Sequence, residues 1–354
     1  MCKNESVNFM GDLVLGDQPV IYGFGFDSVW GPKKYSGIFD GVCECTVSTK
    51  YNVANFEAVI KKRENHMSVS EWSMCCDESI SVELKKANIN IVSVANNHTM
   101  DYGIKWFDYT VKCLTDNGIN VIGIKDKPYT KIQLDEKKVA IVSASYIKVK
   151  ANKDIGYFYN PTQEEWERVF AECDDCDMKI VYIHWGNEFI KTPTETQKSI
   201  ATMLITLGVD VIIGHHPHIL QHNQLVLGNP VVYSLGNFIS DYWQKRLRKT
   251  SIINFCTSKQ LVQYDCIIDK FGCPQLLDNN SKELDYSKKT ERESVFLNRT
   301  RMRIEYLVKI LCNFYRIKEK RKFAKWIYKR FIYIIKYFFS EIKNPDIVYE
   351  HYEN

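Results

Sequence analysis

No stretch of this 354-residue chain is apolar for long enough to cross a bilayer. The apolar run from Phe331 to Phe339 is interrupted by Lys336 and falls well short of the ~20 residues a spanning helix needs. The opening Met1-Cys2-Lys3-Asn4-Glu5-Ser6 lacks the apolar core of a secretory signal, which predicts no export through a cleaved N-terminal signal. Internal repeats are absent. Twelve cysteines are present, yet Cys43/Cys45, Cys75/Cys76 and Cys173/Cys176 form no repeating framework, and Cys113, Cys256, Cys266 and Cys312 lie in apolar surroundings. They read as reduced, small hydrophobes in a reducing compartment. Cys173-Asp-Asp-Cys176 has no second cysteine pair at zinc-ribbon spacing, which argues against a structural zinc. A strong overall charge is also missing: the formal net charge is +4, with 45% hydrophobic and 25% charged residues. That composition suits a folded globular protein and argues against disorder.

What is present is a rhythm of strands and helices. Apolar runs closed by polar groups predict strands at Val7–Met10, Tyr51–Glu57, Ile89–Ala95, Asn120–Ile124, Val139–Ala144, Lys179–Ile183 and Val209–Ile213. Helical spacing predicts helices over Ser81–Ala87, Phe107–Asp116, Gln163–Glu172 and Thr194–Leu207, two of them stopped at Asn117-Gly118 and Gly208. The alternation argues for βαβ units around a largely parallel core. Past Pro230 the connections shorten, and Val231–Leu235, Ile252–Cys256, Leu261–Ile268 and Pro274–Leu277 predict an antiparallel second sheet completing the same domain. Residues 1–278 therefore read as one α/β domain, 279–298 as a polar linker and 299–354 as a basic amphipathic helical tail.

Five predicted strands run into groups able to ligate metal: Gly11-Asp12, Asn55-Phe56-Glu57, Asn96-Asn97-His98, His184-Trp185-Gly186-Asn187-Glu188 and Gly214-His215-His216-Pro217-His218. In α/β folds the carboxyl ends of strands converge on one crevice. Taken singly, each has an ordinary reading: Asp12 a turn residue, Glu57 a solvated charge, Asn97 an Asx turn, His184 a satisfied core histidine. The histidine run is harder to explain that way, because four of the eight histidines, His222 included, follow Asp210–Ile213 within eight residues. Pro217 fixes the backbone between His216 and His218, which suits two imidazoles held for ligation. Together the oxygen and nitrogen donors match a two-metal hydrolytic centre, and the absence of cysteine from these strand ends argues against a structural zinc.

At these residues the chain resembles the CapA proteins of poly-γ-glutamate capsule synthesis, within the calcineurin-like metallophosphoesterase superfamily. The matching stretches, in order, are GDLVLG (11–16), ANFE (54–57), VSVANNHTMDYG (92–103), INVIG (119–123), HWGNEF (184–189), PTETQ (193–197), GVDVIIGHHPHILQ (208–221) and YSLGNFISD (233–241). They cover roughly residues 6 to 277. The resemblance implies a four-layer α/β/β/α sandwich and two divalent metal ions, Mn, Fe or Zn. It implies Asp12 and His218 on the first ion, Glu57 bridging, and Asn97, His184 and His216 on the second. His98 would donate a proton to a leaving group, while Asp101 and Glu188 would orient imidazoles. Three departures stand out. Asp12 is followed by Leu13-Val14 where the superfamily has Asp-x-His, so the first site lacks one imidazole. Asp17 stands where relatives show a basic residue, which is expected to weaken a contact with an anionic substrate. The membrane anchor of many relatives is not found, so a cytoplasmic location is expected, with peripheral attachment at the inner membrane face as an extension of it.

Between Arg299 and Phe339, thirteen Lys or Arg face only Glu305 and Glu319, a local balance of +11 that leaves −7 for the remainder. With Trp326, Phe331, Tyr333, Tyr337 and Phe338 this fits a helix at an anionic membrane interface or on a membrane synthase subunit. A solvated or domain-packed helix and nucleic-acid binding are the alternatives, the last the weakest. Three functions follow: a metal-dependent hydrolase of phosphoester type in capsule or surface-polymer synthesis, a non-hydrolytic accessory subunit of a membrane polymer synthase, or a metal-dependent γ-glutamyl hydrolase. The substrate in these readings is an anionic polymer or a phosphoester.

Overall fold

Strand β1 (Ser6–Leu13) is covered on both faces: Val7 and Phe9 enter one buried cluster, Met10 and Leu13 another. A strand so placed reads as a near-continuous apolar run, which is why its sequence signal is clear. The computed structural model describes residues 5–21, 23–62, 73–147, 154–257, 261–278, 280–287 and 293–313, together with 324 and 328.

After β1 come the short helices α1 (Phe26–Trp30) and α2 (Cys43–Val47), then β2 (Tyr51–Phe56) and the short parallel pair β3 (Val59–Ile60) and β4 (Cys75–Cys76). Helix α3 (Ile80–Lys86), β5 (Ile91–Ser93), helix α4 (Ile104–Asp116) and β6 (Asn120–Ile122) complete the first βαβ series. β1, β2, β5 and β6 are parallel neighbours. The chain then builds a second sheet from β7 (Tyr129–Leu134), β8 (Lys137–Ser145), β9 (Met178–His184) and β10 (Val211–His215), with helix α5 (Gln163–Ala171) before β9 and helix α6 (Glu195–Thr206) after it. β8, β9 and β10 run parallel. α5 and α6 each begin with a capping box, Thr162 with Glu165 and Thr194 with Gln197, which satisfies backbone donors that the helix leaves open.

Three buried clusters define the layers. Val7, Phe9, Val53 and Ile91 of the first sheet meet Ile141, Ile180, Tyr182 and Ile213 of the second. On the outer face of the first sheet, Val92 and Ala54 pack with Leu84 of α3 and with Phe107 and Leu114 of α4. On the outer face of the second, Val181, Ile183 and Ile212 pack with Trp166 and Phe170 of α5 and with Ala201 and Leu204 of α6. The architecture is the four-layer α/β/β/α sandwich.

The antiparallel strands depart from expectation. β11 (Gln224–Val226) and β12 (Asn229–Val232) join the second sheet, β12 parallel to β10. β13 (Asn237–Ile239) pairs parallel with β1. β14 (Lys249–Cys256), β15 (Leu261–Ile268) and β16 (Pro274–Leu276) form an antiparallel meander, but β14 pairs with β1. They therefore widen the first sheet to nine strands instead of forming a sheet of their own. Period-two alternation marks a strand without naming its neighbour, and the pairing here is decided by an edge more than 200 residues away in sequence.

The stretch 279–298 is not uniformly linker-like. β17 (Lys282–Glu283) pairs with β15, Leu284 is buried in the inter-sheet core, and helix α7 (Val295–Asn313) begins four residues before Arg299. α7 sits on the domain through Met302 and Tyr306, which pack with Tyr242 and Leu247, and through a bidentate Arg246–Glu305 pair at 2.8 and 2.7 Å. Its other side exposes Leu297, Ile304, Val308 and Leu311. The expected helix continues to Phe339, but beyond Asn313 all of it except residues 324 and 328 lies outside the described residues. Among the described residues, no helix is long and apolar enough to cross a membrane.

Candidate metal centre

Because the central strands of both sheets are parallel, their carboxyl ends share one edge of the sandwich. β1 delivers Asp12, the residue after β2 is Glu57, the turn after β5 carries Asn97 and His98, β9 ends at His184, and β10 ends at His215 with His216 and His218 following. All are buried. The close approach of β1 to the chain before β13 needs glycine at position 11, where a Cβ would lie 1.9 Å from the Gly236 carbonyl oxygen. His216 and His218 have φ of +98° and +55°, left-handed values unfavourable for residues with a Cβ, each costing on the order of 1–3 kcal/mol. The turn around Pro217 holds both rings inward in spite of that.

Glu57 is the centre of the cluster. Its carboxylate is fully buried and neither oxygen has a hydrogen-bond partner. Oε1 lies 3.8 Å from His98 Nε2, 3.9 Å from His184 Nε2 and 3.8 Å from His218 Nε2. These gaps are too long for hydrogen bonds, yet within the ~4.2 Å that separates at most two donors sharing one ion at ~2.1 Å. A buried carboxylate without donors is expensive, and a cation would supply what it lacks. The side chains present therefore fit a metal. Among the described residues, three-donor groups whose ligand atoms lie within 4.8 Å of one another are Asp12–Glu57–His218, Glu57–His184–His216, Glu188–His216–His218 and Asp12–His184–His215.

Around Glu57 the hydrogen bonds are specific. Asn97 Oδ1 and His184 Nε2 lie 2.7 Å apart. His98 Nδ1 sits 2.8 Å from Asp101 Oδ2, which directs its Nε2 into the cluster. Asn55 Nδ2 donates to Asp12 Oδ1 at 2.8 Å, and the His216 amide donates to Asp12 Oδ2 at 3.2 Å. His218 Nδ1 lies 2.8 Å from Asn237 Oδ1 and 3.3 Å from Asp12 Oδ2.

Charge states in the metal-free chain follow. Burial, then the Asp12 charge, pushes the Glu57 carboxyl up to about 8. Burial alone would raise Asp12 as well, but His218, His215 and Asn55 bring it below the ordinary aspartate value. Burial would lower His218, yet Glu57 and Asp12 raise it to about 9. Burial lowers His215 to about 4, and burial with the neighbouring imidazoles takes His184 well below its usual value. Below about pH 8 the His218 imidazolium therefore faces the Asp12 carboxylate alone, and above it Glu57 adds a second buried negative charge that one imidazolium only half compensates.

All six expected ligands, with His98 and Asp101, meet in this one volume. Glu188 is half-buried and lies beside His216 and His218, and among the described residues His222 belongs to none of the donor groups. Three participants escaped the sequence reading of individual roles: Asn55, Asn237 and His215. All three lie inside the quoted motifs, so motif membership was the available signal. Asp17 is placed differently from expectation. It is fully buried and accepts from the Gly23 amide, the Ser28 amide and the Ser28 hydroxyl at 2.8, 2.9 and 2.5 Å. It holds the loop into α1.

The sequence profile of the family described as bacterial capsule synthesis protein PGA_cap matches residues 6–242, a span from β1 through every residue of the cluster. The chain is 26% identical over 270 residues to the PGA biosynthesis protein CapA of Bacillus subtilis (strain 168), covering 72% of this chain and 68% of that one. It is 23% identical over 273 residues to the capsule biosynthesis protein CapA of Bacillus anthracis, covering 72% and 64%. Among solved structures, a novel phosphatase from Mycoplasma pneumoniae superposes with a TM-score of 0.45 at 10% identity, over 79% of this chain and 92% of that one. With the family profile aligned along two thirds of its length and the donor cluster inside the aligned region, the chain belongs to the bacterial capsule synthesis protein family PGA_cap.

Proposed function

We propose that this protein is a metal-dependent hydrolase of phosphoester type that works with two divalent ions in the synthesis of a capsule or related surface polymer. The observation that carries the reading is Glu57, a buried carboxylate with both oxygens unpartnered among three imidazoles at 3.8–3.9 Å. Asp12 and His218 would hold one ion, Asn97, His184 and His216 the other, and Glu57 both. Bound there, a pair of divalent ions, Mn, Fe or Zn, supplies Lewis acidity toward the scissile ester and lowers the pKa of the attacking water. The chain's own residues do the rest. Asp101 fixes the His98 ring through Nδ1, leaving Nε2 to hold a proton for the leaving group. Burial of the cluster removes competing water and strengthens each charge interaction.

His98→Ala is expected to lower turnover by ~10²–10⁴-fold while metal content stays at the wild-type level. The assay is a screen of phosphoesters and γ-glutamyl peptides on metal-loaded protein. Unchanged turnover in that variant would remove His98 from the mechanism, and turnover of γ-glutamyl peptides alone would move the chemistry from phosphorus to a carbonyl.

One observation favours a second reading, a non-hydrolytic accessory subunit. Asp12 is already engaged by Asn55, the His216 amide and His218, and no histidine follows it at position 14, so the first ion is held by few available donors. In either reading the outward face of α7, with Leu297, Ile304, Val308 and Leu311 exposed beside Arg301, is suited to an anionic membrane surface such as the inner face of the bacterial membrane. Sedimentation with anionic vesicles should then be lost in the double variant Ile304→Glu/Leu311→Glu, and equal sedimentation of both proteins would reject the membrane role.

A further inference from the structure

His215 is the one fully buried imidazole of the cluster with no assigned part. Its Nδ1 lies 2.9 Å from His184 Nδ1, its Nε2 is buried with no hydrogen-bond partner, and its ring stands edge-on to Tyr182 at 4.3 Å between centroids. Tyr182 is itself held by donation from its hydroxyl to the Met10 carbonyl at 2.5 Å. His215 is thus fully buried and packed against a fixed ring.

We infer that His215 is a positioning residue that sets the tautomer of His184 and so prepares His184 Nε2 to ligate metal. The inference rests on the metal-centre reading proposed above. Two neutral imidazoles meeting through Nδ1 atoms can share only one hydrogen, so the state of one dictates the state of the other. Without metal, Asn97 Oδ1 at 2.7 Å accepts from His184 Nε2–H. His184 Nδ1 must then accept, from His215 Nδ1–H at 2.9 Å and, at a longer distance, from Asn55 Nδ2 at 3.3 Å. Ligation requires a bare Nε2 on His184. Its hydrogen then resides on Nδ1, where His215 Nδ1 is the acceptor, and the hydrogen of His215 resides on its own Nε2. Each ring ends with one hydrogen: the proton displaced from His184 Nε2 is lost to solvent, the shared hydrogen crosses between the Nδ1 atoms, and His215 Nε2 takes one up from solvent, so the number of protons on the pair is unchanged. Asn55 Nδ2, 3.3 Å from His184 Nδ1, is a donor and cannot replace His215 as acceptor. The arrangement does for His184 what a carbonyl or carboxylate does behind most metal-bound histidines.

His215→Phe keeps the ring volume and removes the acceptor, while His215→Gln keeps a side-chain carbonyl that can accept. With Mn²⁺ or Zn²⁺ alone as probe, calorimetry is expected to show one ion bound ~10–100-fold more weakly in His215→Phe, with most of the affinity restored in His215→Gln and the fold of both intact by circular dichroism. In the unmutated chain, nitrogen NMR should show His184 Nδ1 changing from acceptor to protonated as metal is added, with His215 Nδ1 changing the opposite way. Wild-type affinity in His215→Phe, or unchanged nitrogen signals on metal addition, would overturn the inference. Failure of the wild-type chain to bind either ion would instead overturn the metal-centre reading beneath it.

Discussion

Replacing Glu57 with glutamine is expected to stabilise the metal-free protein and to abolish tight metal binding, two effects of opposite sign from one substitution. The carboxyl is held at about 8 in the folded chain, against about 4.3 for an unfolded glutamate. Between those values the native state binds the extra proton, so stability falls as pH rises from about 4 to about 8 and levels off above. Glutamine is neutral throughout and removes that loss. In urea melts with chelator present, Glu57→Gln should be more stable than wild type by on the order of 3 kcal/mol at pH 8.5, the difference shrinking toward zero near pH 4. With a divalent ion in excess the order should reverse, because only the wild-type chain gains binding energy. Equal stability at pH 8.5 would show that Glu57 is compensated by something other than a cation.

The second large effect is metal removal. An ion bound only by the folded chain stabilises it by about 2.7 kcal/mol at one hundred times its dissociation constant, so chelation should lower the melting temperature by several degrees. His216→Ala should show the lower temperature with or without metal. The gain should also weaken as pH falls from 8 to 6, since protons compete for Glu57 and for His218, which sit at about 8 and about 9, and metal must displace them. A melting temperature indifferent to chelator at pH 8 would leave the orphaned carboxylate without an explanation.

The sequence disclosed the site better than it disclosed the sheet. Strand ends with polar closures are local features, each open to an ordinary reading in its own window, and the resemblance to the CapA proteins is what singled out Asp12, Glu57, Asn97, His184, His216 and His218. Their convergence followed from the parallel alternation alone. Pairing of β14 with β1, Ser6 against Cys256, joins segments 250 residues apart, and no local pattern encodes it. β5 is shorter than its apolar run because the Ala95 amide, instead of pairing with a strand, is held by the Ser93 hydroxyl at 3.1 Å, although Val94 and Ala95 are still buried. The burial of Asp17 was not legible, because a charged residue in a loop motif suggests an exposed position. Here three donors of a local loop absorb it. His215 was lost among adjacent histidines, since sequence order does not say which ring faces the ions and which stands behind.

The most direct test of the account is the position of bound ions, seen by anomalous scattering from crystals grown with Mn²⁺. The account predicts two peaks sharing Glu57, one beside Asp12 and His218 and one beside Asn97, His184 and His216. Ordered manganese elsewhere on the molecule, with none within ligand distance of Glu57, would contradict it.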